Sequence, residues 1–198
     1  SIQGAARGIP GPIPTIVVGS TDPTASLLRG VAQETGEDLY QRNEQGWTCL
    51  QKEYTFTTVN AQAAYVLPSD FGRLIDETAW DRANYWSMRG PMSPRDWQLY
   101  KSSILGGALG IRRRWRIKAN SGVNSFFVDP TPTVTGNTLV YEYVSSGWCQ
   151  SSGGTAQSAW AADTDVLAPD ANGQLSEFLL RLGIKYRALE RLGMAYEA

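Results

Sequence analysis

Two pairs of carboxylates and one run of cations are the places where this chain's side chains could do chemistry. Asp76 with Glu77, and Asp163 with Asp165, have the residue types of a general acid–base pair. Asp76 and Glu77 fall in a stretch that reads as a strand, Arg73 to Trp80, where neighbours point to opposite faces and cannot share a substrate atom. Asp163 and Asp165 stand before an expected helix, where acids serve the helix dipole without any catalysis. Both pairs therefore read as surface or capping groups. The chain has no histidine, so the usual base at neutral pH and the commonest metal ligand are missing. Cys49 and Cys149 lie far apart, a poor basis for a disulfide framework or a zinc site, and read as two reduced thiols. Gly106, Gly107 and Gly110 resemble a phosphate-binding turn but follow a helix instead of a strand. The expectation is no enzyme, no cofactor and no bound metal.

The cations are more informative. From Ile111 to Lys118 the residues alternate, placing Arg112, Arg114, Arg116 and Lys118 on one face of a strand and Arg113, Trp115 and Ile117 on the other. The formal net charge of the chain is −1, so this ridge is a local feature and not part of a generally basic protein. It suits an acidic protein partner, passing DNA, or a solvated face with internal pairs. No base-reading motif accompanies it. Seven tryptophans and nine tyrosines add a second surface chemistry, since aromatic rings anchor protein interfaces and also bind sugars.

These groups need a scaffold. With 198 residues, 42% of them hydrophobic and 19% charged, the chain can bury a real core. Residues 1–20, rich in Gly and Pro, read as an extended arm whose apolar Ile13, Ile16, Val17 and Val18 must pack against something. Asp22-Pro23 opens a helix, with Asp as N-cap and Pro at the first turn. Gly30 and Gly36 weaken that helix and invite a close neighbour. From Trp47 the period changes to two. Residues 54–59 and Ala63 to Leu67 read as a β-hairpin about Asn60-Ala61-Gln62. Ser93-Pro94 opens a second helix that ends at Gly106-Gly107, and strands follow at 111–119, 125–128 and 138–145. Residues 145–162, rich in Ser and Gly, read as a mobile loop. Asn172 or Ser176 caps a last helix with Leu175, Phe178, Leu179, Leu182, Tyr186, Leu189, Leu192 and Tyr196 as its apolar stripe. Strands cluster between helices, which favours an α+β fold: a small helical bundle of three main helices with an inserted antiparallel β-domain. The bundle is expected from 21–45, 91–107 and 172–198, and the β-domain from 46–90 and 108–162. No apolar run is long enough to span a bilayer, so no membrane role is expected and the chain reads as soluble and unexported.

Three signatures occur in order: Val66-Leu67-Pro68-Ser69-Asp70-Phe71, Thr78-Ala79-Trp80-Asp81-Arg82, and Gly90-Pro91-Met92-Ser93-Pro94-Arg95-Asp96-Trp97-Gln98. With the early Asp22-Pro23 and the closing stretch from Leu179 to Glu197, they give a chain that resembles the head-to-tail adaptor proteins of tailed bacteriophages. The resemblance covers roughly residues 15–110 and 163–197. It implies a structural virion protein that forms a homo-oligomeric, usually dodecameric, ring beneath the portal. Such a ring extends the channel for double-stranded DNA and meets the next tail component, a nozzle or tail tube, after assembly in the host cytoplasm. It also implies portal docking by the C-terminal segment, here Lys185, Tyr186, Leu189, Leu192, Met194 and Tyr196. A β-rich carbohydrate-binding module is the alternative that the aromatics support, and a hydrolase working through carboxylates alone is a third reading.

Overall fold

The computed structural model describes residues 14–42, 47–102, 112–168 and 177–194. The chain divides into two compact units. One is Ser1–Gln51 with Val144–Ala198, and the other, Lys52–Tyr143, is inserted between its halves. Among the described residues the fold is α+β, with three α-helices and antiparallel sheets.

In the discontinuous unit, helix α1 (Pro23–Gln41) begins as expected: the Asp22 carboxylate accepts from the Ala25 N–H at 3.0 Å, and Pro23 occupies the first turn. Helix α3 (Glu177–Arg191) packs on α1. Leu28, Val31, Ala32 and Thr35 are buried on α1, and Leu180, Ile184 and Ala188 on α3. Gly183 lets the helices close up, since a Cβ there would stand 2.5 Å from Thr35 Cγ2. Arg187 reaches Asp38 at 2.9 Å and Arg191 reaches Glu34, in the opposed order of antiparallel helices. The buried row is a correction. The apolar stripe read from the sequence lies roughly half a turn round α3 from Leu180 and Ile184, and most of it faces outward. Both proposed caps of this helix, Asn172 and Ser176, lie outside the described residues.

The Ser/Gly-rich stretch is a second correction. It carries two strands of a three-stranded sheet, β9 (Cys149–Gln150) and β10 (Ala156–Gln157), and β11 (Val166–Leu167) completes it in the order β10-β9-β11. Trp148 and Trp160, both buried, meet edge to face at 5.4 Å, and Cys149 is buried beside them. Gln33 of α1 donates to Ser158 O and accepts from the backbone N–H of Trp160, tying helix and sheet together. Two tryptophans supply enough apolar area to order a segment whose composition reads as linker.

In the inserted unit, β1 (Gln51–Thr57), β8 (Thr138–Ser145), β4 (Trp80–Asp81) and β5 (Trp86–Ser87) pair in that order, with β3 (Phe71–Leu74) also on β8. A second sheet has the order β2 (Ala64–Val66), β7 (Val123–Asp129), β6 (Arg114–Asn120). The expected hairpin is therefore absent: β1 pairs with β8, and β2 pairs with β7. Tyr54, Phe56, Tyr141 and Tyr143 from the first sheet meet Tyr65, Trp115, Phe126 and Val128 from the second in one aromatic core. Burial pushes the Tyr141 hydroxyl well above the ordinary tyrosine range. The strand expected from Arg73 to Trp80 breaks after Leu74 into a turn, with Glu77 at φ 63°. Helix α2 (Pro94–Ser102), capped by Ser93 Oγ, packs on the second sheet: Trp97 meets Phe127 edge to face, and Lys101 pairs with Asp129 at 2.7 Å. Its contacts group it with the inserted unit, whereas 91–107 was expected to join the other helices.

Candidate interaction surfaces

The two carboxylate pairs have different settings. Asp76 and Glu77 are exposed in the turn that replaces the expected strand. The Asp163 carboxylate accepts from the Val17 N–H at 3.0 Å and the Val18 N–H at 2.9 Å. Asp165, buried, accepts from the N–H groups of Ala161 and Ala162. Each aspartate thus satisfies two backbone donors, which is structural work. Among the described residues no group of three or more His, Cys, Asp or Glu side chains could hold a metal ion. Neither cysteine forms a disulfide. Burial, with the nearby Asp165 carboxylate, pushes the Cys149 thiol up to about 11. Gly106, Gly107 and Gly110 lie outside the described residues. No helix among those described is long and apolar enough to cross a membrane.

The arm is anchored within its own unit. Asp163 clips the backbone at Val17 and Val18, and Val17 is buried while Ile16 is exposed. Ile13 lies outside the described residues.

Three surfaces remain. The first is the outward side of α3. Leu182 is 47% and Tyr186 48% exposed, and Phe178, Leu179, Leu192 and Met194 are exposed beside them. Lys185 is exposed and Leu189 half-buried on the same side, while Tyr196 lies outside the described residues. α3 is thus apolar on its outward side as well as on the side packed against α1.

The second is the basic face of the second sheet. Register pairs Arg114 with Asp129, Arg116 with Phe127 and Lys118 with Ser125, so these three cations share the outer side. Arg114 is partly spent: it pairs with Asp129 at 3.1 Å and its guanidinium sits 3.8 Å from the Tyr100 ring centre. Lys118 lies over Phe127 at 4.2 Å. Arg112 is exposed just before the strand. On the inner side, Arg113 donates to the buried Asp81 at 2.7 Å, an ion pair that also holds Asn84.

The third was not legible in the sequence. An open groove of about 610 Å³ crosses the outer side of the first sheet. Trp80, Tyr85 and Val140 give it apolar walls, and Glu53, Glu77, Arg82 and Glu142 give it charge. Trp80 is 45% and Tyr85 86% exposed, whereas Trp97 and Trp115 are buried. Arg82 grips Glu53 through both nitrogens at 3.2 and 2.7 Å. Glu77 and Glu142 have no ion-pair partner among the described residues.

The chain matches the family described as SU10 adaptor protein over residues 4–198, nearly its whole length, and belongs to that family. It is a phage adaptor family, whose members are structural virion components and not enzymes. A search of curated proteins finds no match.

Proposed function

We propose that this protein is a head-to-tail adaptor: a ring of identical subunits below the portal that extends the DNA channel and connects it to the tail. The observation that carries the reading, beside family membership, is the outward apolar side of α3. Leaving Leu182, Tyr186, Leu192 and Met194 in water costs free energy that burial against a partner recovers, about 25 cal/mol per Å² of apolar surface covered. Portal docking falls to this side, through Lys185, Tyr186, Leu189, Leu192 and Met194. The arm, held at Val17 and Val18 within its own unit, leaves Ile16 exposed to meet a neighbouring subunit. The basic face of the second sheet serves as a contact between subunits, and DNA passes without sequence recognition. Co-sedimentation of the full chain with its phage's portal tests the reading. The expected result is a stable complex at a fixed ratio; a chain that stays monomeric and never enters the portal fraction overturns it.

A further inference from the structure

We infer that the groove on the first sheet and the basic face of the second are the two halves of one contact between neighbouring copies of this chain. The groove of one subunit takes the Arg116–Lys118 edge of the next. This inference deepens the ring reading and rests on it.

Strand parity places the two surfaces on opposite sides of the inserted unit. On β6 and β7, Trp115, Phe126 and Val128 face the aromatic core, so Arg114, Arg116, Lys118 and Phe127 lie on the other side, where α2 packs over Phe127 and Arg114 and leaves Arg116 and Lys118 half-buried. On β8, Leu139, Tyr141 and Tyr143 face the core, so Val140 and Glu142 face away on the other side, with Trp80 directly opposite Val140. Each outer side thus carries one half of the match.

The charges agree with this pairing. The groove sets three carboxylates against one guanidinium, and its Glu77 and Glu142 have no cationic partner among the described residues. Across the unit, Asp129 is shared between Lys101 and Arg114. Arg112, Arg116 and Lys118 have no carboxylate partner among the described residues. The groove also offers exposed Trp80 and Tyr85 rings, the surface on which a guanidinium stacks while its edge meets a carboxylate. A DNA-facing role for the cations would leave the acidic, aromatic groove without an occupant; a second copy satisfies both faces at once.

Two different faces on opposite sides make a heterologous contact. Such a contact cannot close as a two-fold dimer and generates a ring or a filament. That is the symmetry an axial adaptor needs.

The test uses the full chain assembled with its portal, with oligomer mass read by mass photometry. Three samples are compared with the natural chain: Glu77→Lys with Glu142→Lys, Arg116→Glu with Lys118→Glu, and an equal mixture of the two. Each variant alone is expected to need roughly tenfold or more protein to assemble, because like charges then meet across the contact. The mixture is expected to restore assembly, since in an alternating ring each reversed groove meets a reversed ridge and each natural groove a natural ridge, so opposite charges face each other at every contact. Circular dichroism melts establish that each variant folds. Either variant assembling like the natural chain overturns the pairing but leaves the ring reading standing, as does a mixture of folded variants that fails to recover. Rings that persist when Arg116 and Lys118 are reversed, but lose DNA, assign those cations to the channel instead. A natural chain that forms no ring overturns both.

Discussion

The indole of Trp148 sits so closely against Gly36 that a Cβ at position 36 would overlap the ring carbons Cη2 and Cζ3. The small sheet of the discontinuous unit docks on α1 through this contact. A large rigid ring cannot step aside as the tip of a lysine can, so overpacking outweighs the gain in helix propensity. Gly36→Ala is expected to destabilise by about 1–3 kcal/mol. Gly30, in the same helix, has open space where its Cβ would go. Gly30→Ala is expected to stabilise by up to about 1 kcal/mol. Thermal melts of the two variants, run side by side, check the opposite signs.

The buried ion pair of Asp81 and Arg113 holds β4 in the inserted unit. Removing the carboxylate leaves a largely buried guanidinium without its partner and strips Asn84 of its acceptor. Asp81→Ala is expected to cost roughly 3 kcal/mol, read as a lower urea midpoint. Removing both charges, in Asp81→Asn with Arg113→Met, is expected to cost less than the single change.

Cys149 gives a pH dependence with a definite sign. Its thiol is raised from an ordinary 9.0 to about 11 in the folded protein. Its contribution to stability is therefore fully present below pH 9.0 and is lost as pH rises from there through about 11. A urea titration across that window is expected to show falling stability that Cys149→Ala reduces. At pH 8 a maleimide is expected to modify half-buried Cys49 well before buried Cys149, as peptide mapping by mass spectrometry will show.

On α3, the inward and outward residues should separate stability from binding. Ile184→Ala removes a fully buried side chain at the α1 contact and is expected to cost about 2–5 kcal/mol. Leu182→Ser with Leu192→Ser touches only exposed side chains and is expected to shift stability by about 0.5 kcal/mol per site or less. The same pair is expected to weaken portal binding at least tenfold, measured by surface plasmon resonance. Loss of stability without loss of binding would place the portal contact elsewhere.

What was legible in the sequence was local. Asp22 and Ser93 cap their helices because a capping side chain needs only a donor three residues away. The basic alternation from Arg114 to Lys118 was visible because parity is built into a strand. Pairing was not. Nothing in Asn60-Ala61-Gln62 says that β1 will leave for β8 and β2 for β7, since the rewards are aromatic contacts far along the chain. The last helix misled for a related reason. It is apolar on two sides, and the choice between them is made by tertiary contacts with α1: the close approach of Gly183 to Thr35 and the Arg187 and Arg191 ion pairs. The Ser/Gly stretch read as linker because composition is averaged, while Trp148 and Trp160 act as individuals. The groove could not be foreseen at all: Glu53, Trp80 and Glu142 come together only through the order of strands in the first sheet.

The central claim is tested most directly by a cryo-EM reconstruction of the full chain bound to its phage's portal. The account predicts a closed ring around an open axial channel, with Leu182, Tyr186 and Leu192 buried against the portal and Arg116 lodged beside Trp80 of the next subunit. A map in which the chain binds as isolated subunits, or in which the outward side of α3 still faces solvent, would contradict it.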